Sequence, residues 1–317
     1  MPSNTTRPTQ AHFVAPLEET PLVAIDSVKA EGKPSNLWRD AWNDVRKRPM
    51  FWISSALILL IVVVALFPML FTSVDPRFCQ LSLSNQGPGD GSVLGYNRQG
   101  CDIYSRIIYG TSTSLSVGLI VTALVAIIGI IFGSLAGFYG GWIDSVLSRL
   151  GDIFFSIPYI LAAVVIMSVF SQYANVWVIS LAIGIFAWPA TARVLRAEIL
   201  RVKNADFVMA ATAVGVTRFR IMLRHVLPNS IAPVLVITTI SLAGAIVAEA
   251  TLSFLGVGLP SSTMSWGNDI SQAQVDLRTN PQTLILPSIA LSVTVLSFIM
   301  LGEVVRDALD PKARAQR

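Results

Sequence analysis

The sequence has few charged residues and few of the residues that carry catalytic or metal-binding chemistry. Only 13% of its 317 residues are Asp, Glu, Lys or Arg, and it contains two cysteines and two histidines. This charge content excludes an ordinary water-soluble domain, in which about 25% of residues are charged. The two histidines, His12 and His225, lie far apart without an adjoining glutamate, which argues against a zinc site.

Two sequence motifs of catalytic proteins are also missing. There is no Gly-x-x-x-x-Gly-Lys-Ser/Thr phosphate loop, so this chain does not handle ATP in the usual way. There is no Gly-x-Ser-x-Gly motif to indicate a serine nucleophile. We therefore expect a non-catalytic chain that itself binds no cofactor and no metal.

Long apolar runs dominate the sequence, of which 53% is hydrophobic. Several windows exceed the roughly 18 uncharged residues that indicate a membrane span. The uncharged run 153–192 is long enough for two crossings, and the polar stretch 171–175 divides it. The predicted fold is an all-α membrane bundle over residues 49–312. Its six spans are predicted near 51–71, 113–138, 153–170, 176–192, 229–255 and 284–302.

The cations lie beside the apolar runs, which predicts the orientation of the chain. The positive-inside rule places both termini and the interval 193–228 in the cytoplasm. It also explains the net charge of +4 and the pI near 9.3 without nucleic acid. Residues 1–36 are predicted to be a disordered cytoplasmic tail, and 313–317 a short tail. Residues 37–48 predict an amphipathic helix in the membrane interface. The chain is thus a multi-pass protein of the cell (plasma or inner) membrane, in contact with lipid.

The interval 193–228 is the polar stretch between the fourth and fifth predicted spans. It holds seven cations against two anions, namely Arg193, Arg196, Arg201, Lys203, Arg218, Arg220 and Arg224 against Glu198 and Asp206. A helical stripe of mostly small side chains precedes Gly215, which is typical of a helix end. Thr217 and Pro228 are typical starts of further helices. The pattern predicts two short helices at the membrane surface, against which a partner could dock closely.

Two cysteines fall in the loop 72–110, which the orientation places on the oxidising side. Cys79 and Cys101 are therefore predicted to form a disulfide worth about 3 kcal/mol, with two free thiols as the alternative.

Glu249 lies near the outer end of the fifth span. An acid at that depth indicates a functional site. Hydrogen bonding within the bundle and contact with substrate or gate both remain open for it.

The polar interval resembles a known family. Met209-Ala210-Ala211-Thr212-Ala213-Val214-Gly215, followed after nine residues by His225-Val226-Leu227-Pro228, resembles the EAA loop of ABC-importer permeases. The ending is similar to the dipeptide/oligopeptide branch, and Met209 stands where the family has a glutamate. The resemblance implies a coupling helix over 206–215 that docks on a separate ATPase. The implied coupling residues are Asp206, Phe207, Met209, Ala210, Ala211, Val214, Gly215, Arg218 and His225.

Further resemblances to the same branch extend from Asn36 to Lys312. The stretch from Gly95 to Arg106 resembles the peptide-permease pattern Gly-Thr-Asp-x-x-Gly-Arg-Asp-x-x-Ser-Arg, with Cys101 at the family's arginine. Asp102 and Arg106 match that pattern, and with Glu249 they are the candidates for substrate or gate contact. Ser265-Trp266-Gly267 resembles the same branch.

The resemblance implies a six-transmembrane-helix type I ABC importer permease with an N-terminal interfacial helix. The implied partners are a homologous second permease, an extracytoplasmic substrate-binding protein, and two ATP-binding subunits or a fused ATPase. ATP and Mg would be bound by those ATPase subunits. The implied cargo is peptide, with nickel or another small solute as the alternative.

A proton-coupled secondary transporter or channel is the competing interpretation. In it, Glu249 or Asp152 would carry protons. The scarcity of ionisable residues in the predicted spans argues against it, because proton relays usually use several.

Overall fold

The structure, a computed structural model, describes residues 37–89 and 91–309. Those ranges are mainly helical and contain no β-strand beyond isolated bridges. The predicted tails 1–36 and 313–317 lie outside the described residues. The helices are, in chain order, α1 (Leu37–Val45), α2 (Pro49–Leu66), α3 (Ile103–Tyr139), α4 (Gly141–Ser156), α5 (Tyr159–Val169), α6 (Val176–Val202), α7 (Asp206–Ala213), α8 (Arg218–Ile221), α9 (Leu227–Ser230), α10 (Ala232–Phe254), α11 (Trp266–Ala273) and α12 (Gln282–Leu309).

Five of these helices are long and apolar enough to cross a membrane, namely α2, α3, α6, α10 and α12. A sixth crossing requires α4 and α5 together, and this pair bends by 76° at its break. Pro158 lies at that break, where its missing N–H removes a helical hydrogen bond. The segment predicted as the third span, near 153–170, is therefore divided between the end of α4 and α5 and does not form one straight helix. The predicted all-α membrane bundle is confirmed.

The bundle has two ends, which we name by their contents. The α7 end carries α7, the start of α2 and the end of α12, as the chain direction of these helices requires. The disulfide end carries the segment 67–102 and the connection between α10 and α12, which includes α11. Each candidate residue from the sequence lies at one end or the other.

Glycines on α3 allow it to approach α6 closely. A Cβ atom added at Gly133 would lie 2.7 Å from the carbonyl oxygen of Ala192. Cβ atoms added at Gly129 and Gly137 would meet Thr191 and Ile199 at 2.7 and 2.9 Å. Small residues at such positions let helix backbones pack in a membrane. Glycine that recurs every four residues is typical of a helix face for close packing, and in this structure that face meets α6.

The later part of α1 is fastened to the end of α12. Ala41 and Val45 are buried in one apolar cluster with Val304 and Ala308. Arg48 donates a 2.5 Å hydrogen bond to Asp307 beside this cluster. The contact holds the first and last described helices together at the α7 end.

Two long helices extend beyond the predicted spans. α3 begins at Ile103 rather than near residue 113, because the Asp102 side chain accepts a hydrogen bond from the Ser105 amide and caps it. α6 continues to Val202, so the polar interval 193–228 begins inside a helix. The guanidinium groups along this part of α6 have acidic partners, Arg193 with Asp152 at 2.8 Å and Arg196 with Asp144 at 2.6 Å.

Candidate functional site

The short helix α7 is supported from one side by a buried apolar cluster. Val208 of α7 belongs to this cluster together with Ile199 and Val202 of α6. Ile221 and Val226, which follow α7 in the chain, complete the support. α7 is therefore attached to the bundle through packed side chains and not only through its chain connections.

The C-terminus of α7 has the geometry that the sequence predicts at Gly215. Gly215 has φ +84°, a value that glycine adopts without the steric cost of a side chain. Its amide donates to the carbonyl of Thr212 at 3.0 Å, and the Val216 amide donates to Ala211 at 3.1 Å. This pair of hydrogen bonds is a Schellman motif, which satisfies the last carbonyl groups of the helix.

The opposite side of α7 is exposed in this chain. The side chains of Phe207, Met209 and Val214 are 45%, 57% and 84% exposed, which is far more than a packed helix of this apolar composition shows. Asp206, Ala210 and Arg218 are exposed as well, whereas Ala211 and His225 are half-buried. Ala211 packs on the buried cluster, so it supports α7 rather than presenting itself to a partner. We call the exposed side, formed by Phe207, Met209, Ala210 and Val214, the α7 face.

The second predicted short helix is interrupted. α8 is followed by a π-helical segment, Met222–Val226, and then by α9. Pro228 has no N–H to donate to the carbonyl of Arg224, which accounts for the wider turn before it. Met222 is buried, while Phe219 and Leu223 are 60% and 45% exposed.

At the disulfide end, a polar network surrounds the start of α3. Cys79 and Cys101 form a disulfide, and the buried Asp102 follows it directly. The carboxylate of Asp102 accepts hydrogen bonds from Ser92 and from the hydroxyl of Ser105. Asp102 is thus occupied in capping α3 and holding the loop.

Arg106 forms a buried ion pair with Asp269 of α11. Its Nε and Nη2 atoms lie 2.8 and 2.5 Å from Asp269 Oδ1. The side chains are only 8% and 10% exposed. Burial raises the pKa of Asp269 above its ordinary value, and the guanidinium of Arg106 opposes that shift. The pair joins α3 to α11 across a long separation in sequence.

Glu249 is fully buried and bonded to serines from three segments. Oε1 accepts from Ser253 at 3.0 Å and from Ser265 at 2.9 Å, while Ser114 donates to Oε2 at 3.4 Å. Ser114 also accepts from the Trp266 amide at 3.2 Å. These contacts give Glu249 a role within the bundle, and in this structure none of its surface is exposed for a substrate.

The structure therefore separates the candidate residues into two groups at opposite ends. It brings Asp102, Arg106 and Glu249 into one polar region with partners that sequence reasoning missed, chiefly Asp269, Ser114 and Ser265. The resemblance at Ser265-Trp266-Gly267 was the available signal for that region. Among the described residues, no group of three or more His, Cys, Asp or Glu side chains is placed to hold a metal ion.

Comparison with known proteins identifies two families along the chain. Residues 129–315 match the binding-protein-dependent transport system inner membrane component. Residues 36–88 match the N-terminal transmembrane domain of oligopeptide transport permease C.

Curated relatives match over most of their length. The dipeptide transport system permease protein of Alkalihalophilus pseudofirmus is 34% identical, covering 88% of this chain and 91% of the relative. The glutathione transport system permease protein of Escherichia coli is 34% identical, covering 95% of this chain and 97% of the relative. The oligopeptide transport system permease protein of Bacillus subtilis is 32% identical, covering 91% and 94%.

A solved structure supports the same fold. The MetNI methionine ABC transporter, in an inward-facing conformation, matches with a TM-score of 0.54 at 19% identity, over 64% of this chain and 96% of the transporter chain. The bundle is thus of the type I ABC importer kind, which confirms the predicted fold class. The chain belongs to the family of inner-membrane permease subunits of binding-protein-dependent ABC importers, in the branch that includes dipeptide, oligopeptide and glutathione permeases.

Proposed function

We propose that this permease subunit imports short peptides and receives the force for transport through the α7 face. The observation behind the proposal is the α7 face. This apolar surface is exposed, although the other side of α7 is packed against the bundle. In a complete importer, a groove on an ATPase subunit would cover this face. ATP and Mg would be bound by that partner.

The attachment of α7 suits it to transmit movement. Val208 is buried against α6 while Ile221 and Val226 hold the following segment. A displacement of α7 would therefore move α6 and the start of α10 with it. Closure of two ATPase subunits would bring two such helices together and shift the permease pair from inward-open to outward-open. Such a change needs a contact that differs between the two states, which the docked α7 face would supply.

The proposed orientation places the α7 end in the cytoplasm. Cations cluster at this end in Arg46, Lys47 and Arg48 and along the end of α6, as cytoplasmic segments do. The disulfide at the opposite end suits an oxidising compartment. The disulfide end would then receive cargo from a substrate-binding protein, with a homologous second permease completing the path.

Peptide is the cargo that the relatives support. Their names specify dipeptides, oligopeptides and the tripeptide glutathione. For nickel as the alternative cargo, the described residues contain no cluster of side chains placed to bind a metal ion. Selection of a metal would rest on the binding protein. Proton-coupled transport is not retained, because the matching family belongs to binding-protein-dependent transport systems and Asp152 is paired with Arg193.

Charge placed on the α7 face tests the coupling role. We expect Ala210→Arg and Val214→Arg to leave the permease in the membrane but to reduce dipeptide uptake by at least about tenfold. The reason is that a buried unpaired charge costs more than the 1.4 kcal/mol that a tenfold change requires. Uptake of labelled dipeptide into vesicles with the complete importer is the measurement.

Ser145→Arg is the matched control, since Ser145 is exposed at the same end on α4. It should transport normally. Normal uptake in both α7 variants would contradict the coupling role. Uptake of nickel instead of dipeptide by the unmodified importer would contradict the cargo assignment alone.

A further inference from the structure

A cavity of about 360 Å³ opens at the disulfide end, apart from the α7 face. Its walls are residues 97–99 of the disulfide-closed segment, the starts of α3 and α12, and the helix α11 with the turn that follows. Small-molecule sites in proteins occupy roughly 300–1,000 Å³, so this volume suits a small ligand.

Two residues that line the cavity each carry a buried polar atom with no hydrogen-bond partner among residues 37–89 and 91–309. These atoms are Oδ2 of Asp269 and the side-chain nitrogen Nε2 of Gln272. The Asp269 side chain is nine-tenths buried, and only its Oδ1 atom is used by Arg106. Leaving such atoms unpaired in a buried position is unfavourable, and a ligand with matching groups would remove that cost.

The two atoms call for different groups on the ligand. Asp269 Oδ2 accepts hydrogen bonds, whereas Gln272 Nε2 donates them. Asp269, Gln272 and Asp276 are spaced three and four apart, so they lie along one side of α11 and its extension. A ligand that donates at one point and accepts a short distance away matches this arrangement.

The charges of the cavity wall balance. Asp269 and Asp276 contribute two carboxyl groups, and Arg98 and Arg106 contribute two guanidinium groups. Apolar side chains, Ile103, Val275 and Pro287 among them, form much of the remaining wall. A wall of this kind favours a ligand that carries both charges and some apolar surface, rather than a simple anion or cation.

We propose that this cavity binds a short zwitterionic peptide on the permease itself. The ammonium group would lie at Asp269 Oδ2 and the carboxylate between Gln272 and Arg98. The inference rests on the proposed peptide cargo, and it adds a site of recognition outside the binding protein. The disulfide closes the segment that forms one wall, so it holds the cavity in shape.

Dialanine binding to the complete importer in lipid nanodiscs, without the binding protein, tests this site by calorimetry. Wild type should bind dialanine, and Gln272→Met should bind it about tenfold more weakly, because the donor is lost while the side-chain length is kept. Gln274→Met is the matched control, as Gln274 does not line the cavity and bonds instead to the Phe254 carbonyl. N-acetyl-alanine amide, which lacks both charges, should not bind.

The outcomes separate this inference from the proposed function. Normal dialanine uptake by an importer that binds no dialanine without the binding protein would overturn the cavity site and leave the proposed function intact. Equal weakening by Gln272→Met and Gln274→Met would also overturn the site. Weaker docking of the binding protein in Gln272→Met, without dialanine binding, would assign the cavity to a protein contact and overturn it as a peptide site. Absence of any dialanine uptake would overturn the proposed cargo as well.

Discussion

Glu249 is a single residue that holds three segments of the bundle together. Its carboxylate accepts hydrogen bonds from Ser114 on α3, Ser253 on α10 and Ser265 just before α11. The neighbouring glycine, Gly267, leaves room for this arrangement, since a Cβ there would lie 3.0 Å from Glu249 Oε1. The buried acid thus stabilises the disulfide end through neutral donors rather than through a cation.

Replacing Glu249 should reveal this stabilising role. We expect Glu249→Ala to lower the free energy of unfolding by about 2–4 kcal/mol, because it leaves a cavity and unpaired hydroxyl groups. Glu249→Gln keeps the shape and should cost less. Thermal unfolding of the purified importer is the measurement, with Glu303→Ala as the control because Glu303 is exposed in this chain. An unfolding temperature for Glu249→Ala equal to that of wild type would contradict the role.

The contact between α3 and α6 sets the distance between these two helices in the bundle. Gly129, Gly133 and Gly137 of α3 each face a residue of α6 at a distance that leaves no space for a side chain. Inside a membrane no hydrophobic force drives helices together, because lipid is as apolar as the side chains. Helix association therefore depends on van der Waals packing, which close approach increases. This contact also fixes the position of α6, and α6 in turn supports α7 through Ile199 and Val202.

Adding one methyl group should disturb that contact. We expect Gly133→Ala to destabilise the importer by about 1–3 kcal/mol, since the new Cβ would lie 2.7 Å from the Ala192 carbonyl oxygen and force the helices apart. Gly244→Ala is the control, because a Cβ at Gly244 meets nothing within 4 Å. The unfolding temperatures of the two variants give the comparison. Equal temperatures would show that the close approach does not matter for stability.

Sequence patterns predicted helix ends and packing surfaces well where a single local feature of the sequence determines them. Gly215 ends α7 because its backbone requirement is local. Gly129, Gly133 and Gly137 are also a local signal of close helix packing, but their spacing does not show that the partner is α6. The π-helical segment before Pro228 was missed, since the spacing of Met222 and Val226 fits an ordinary helix equally well. The ion pair of Arg106 with Asp269 joins residues 163 apart in sequence, and no local pattern indicates such a pairing.

At the scale of the whole molecule, the two ends have different chemistry. The disulfide end contains buried acids, serines and an ion pair, which fix its loops to the helices. The α7 end contains cations, most of them on the surface, and one exposed apolar face on a supported helix. This division fits an importer permease in which cargo is recognised at one end and force is received at the other.

Chemical labelling of the α7 face tests the central claim most directly. The sequence has two cysteines and both are in the disulfide, so Val214→Cys adds the single free thiol. The thiol should react readily with a maleimide in membranes that lack the ATPase subunits, since Val214 is 84% exposed. Assembly with the ATPase subunits should strongly slow the reaction, whereas Ser145→Cys on α4 should react equally in both membranes. Equal reaction of Val214→Cys with and without the ATPase subunits would contradict the account.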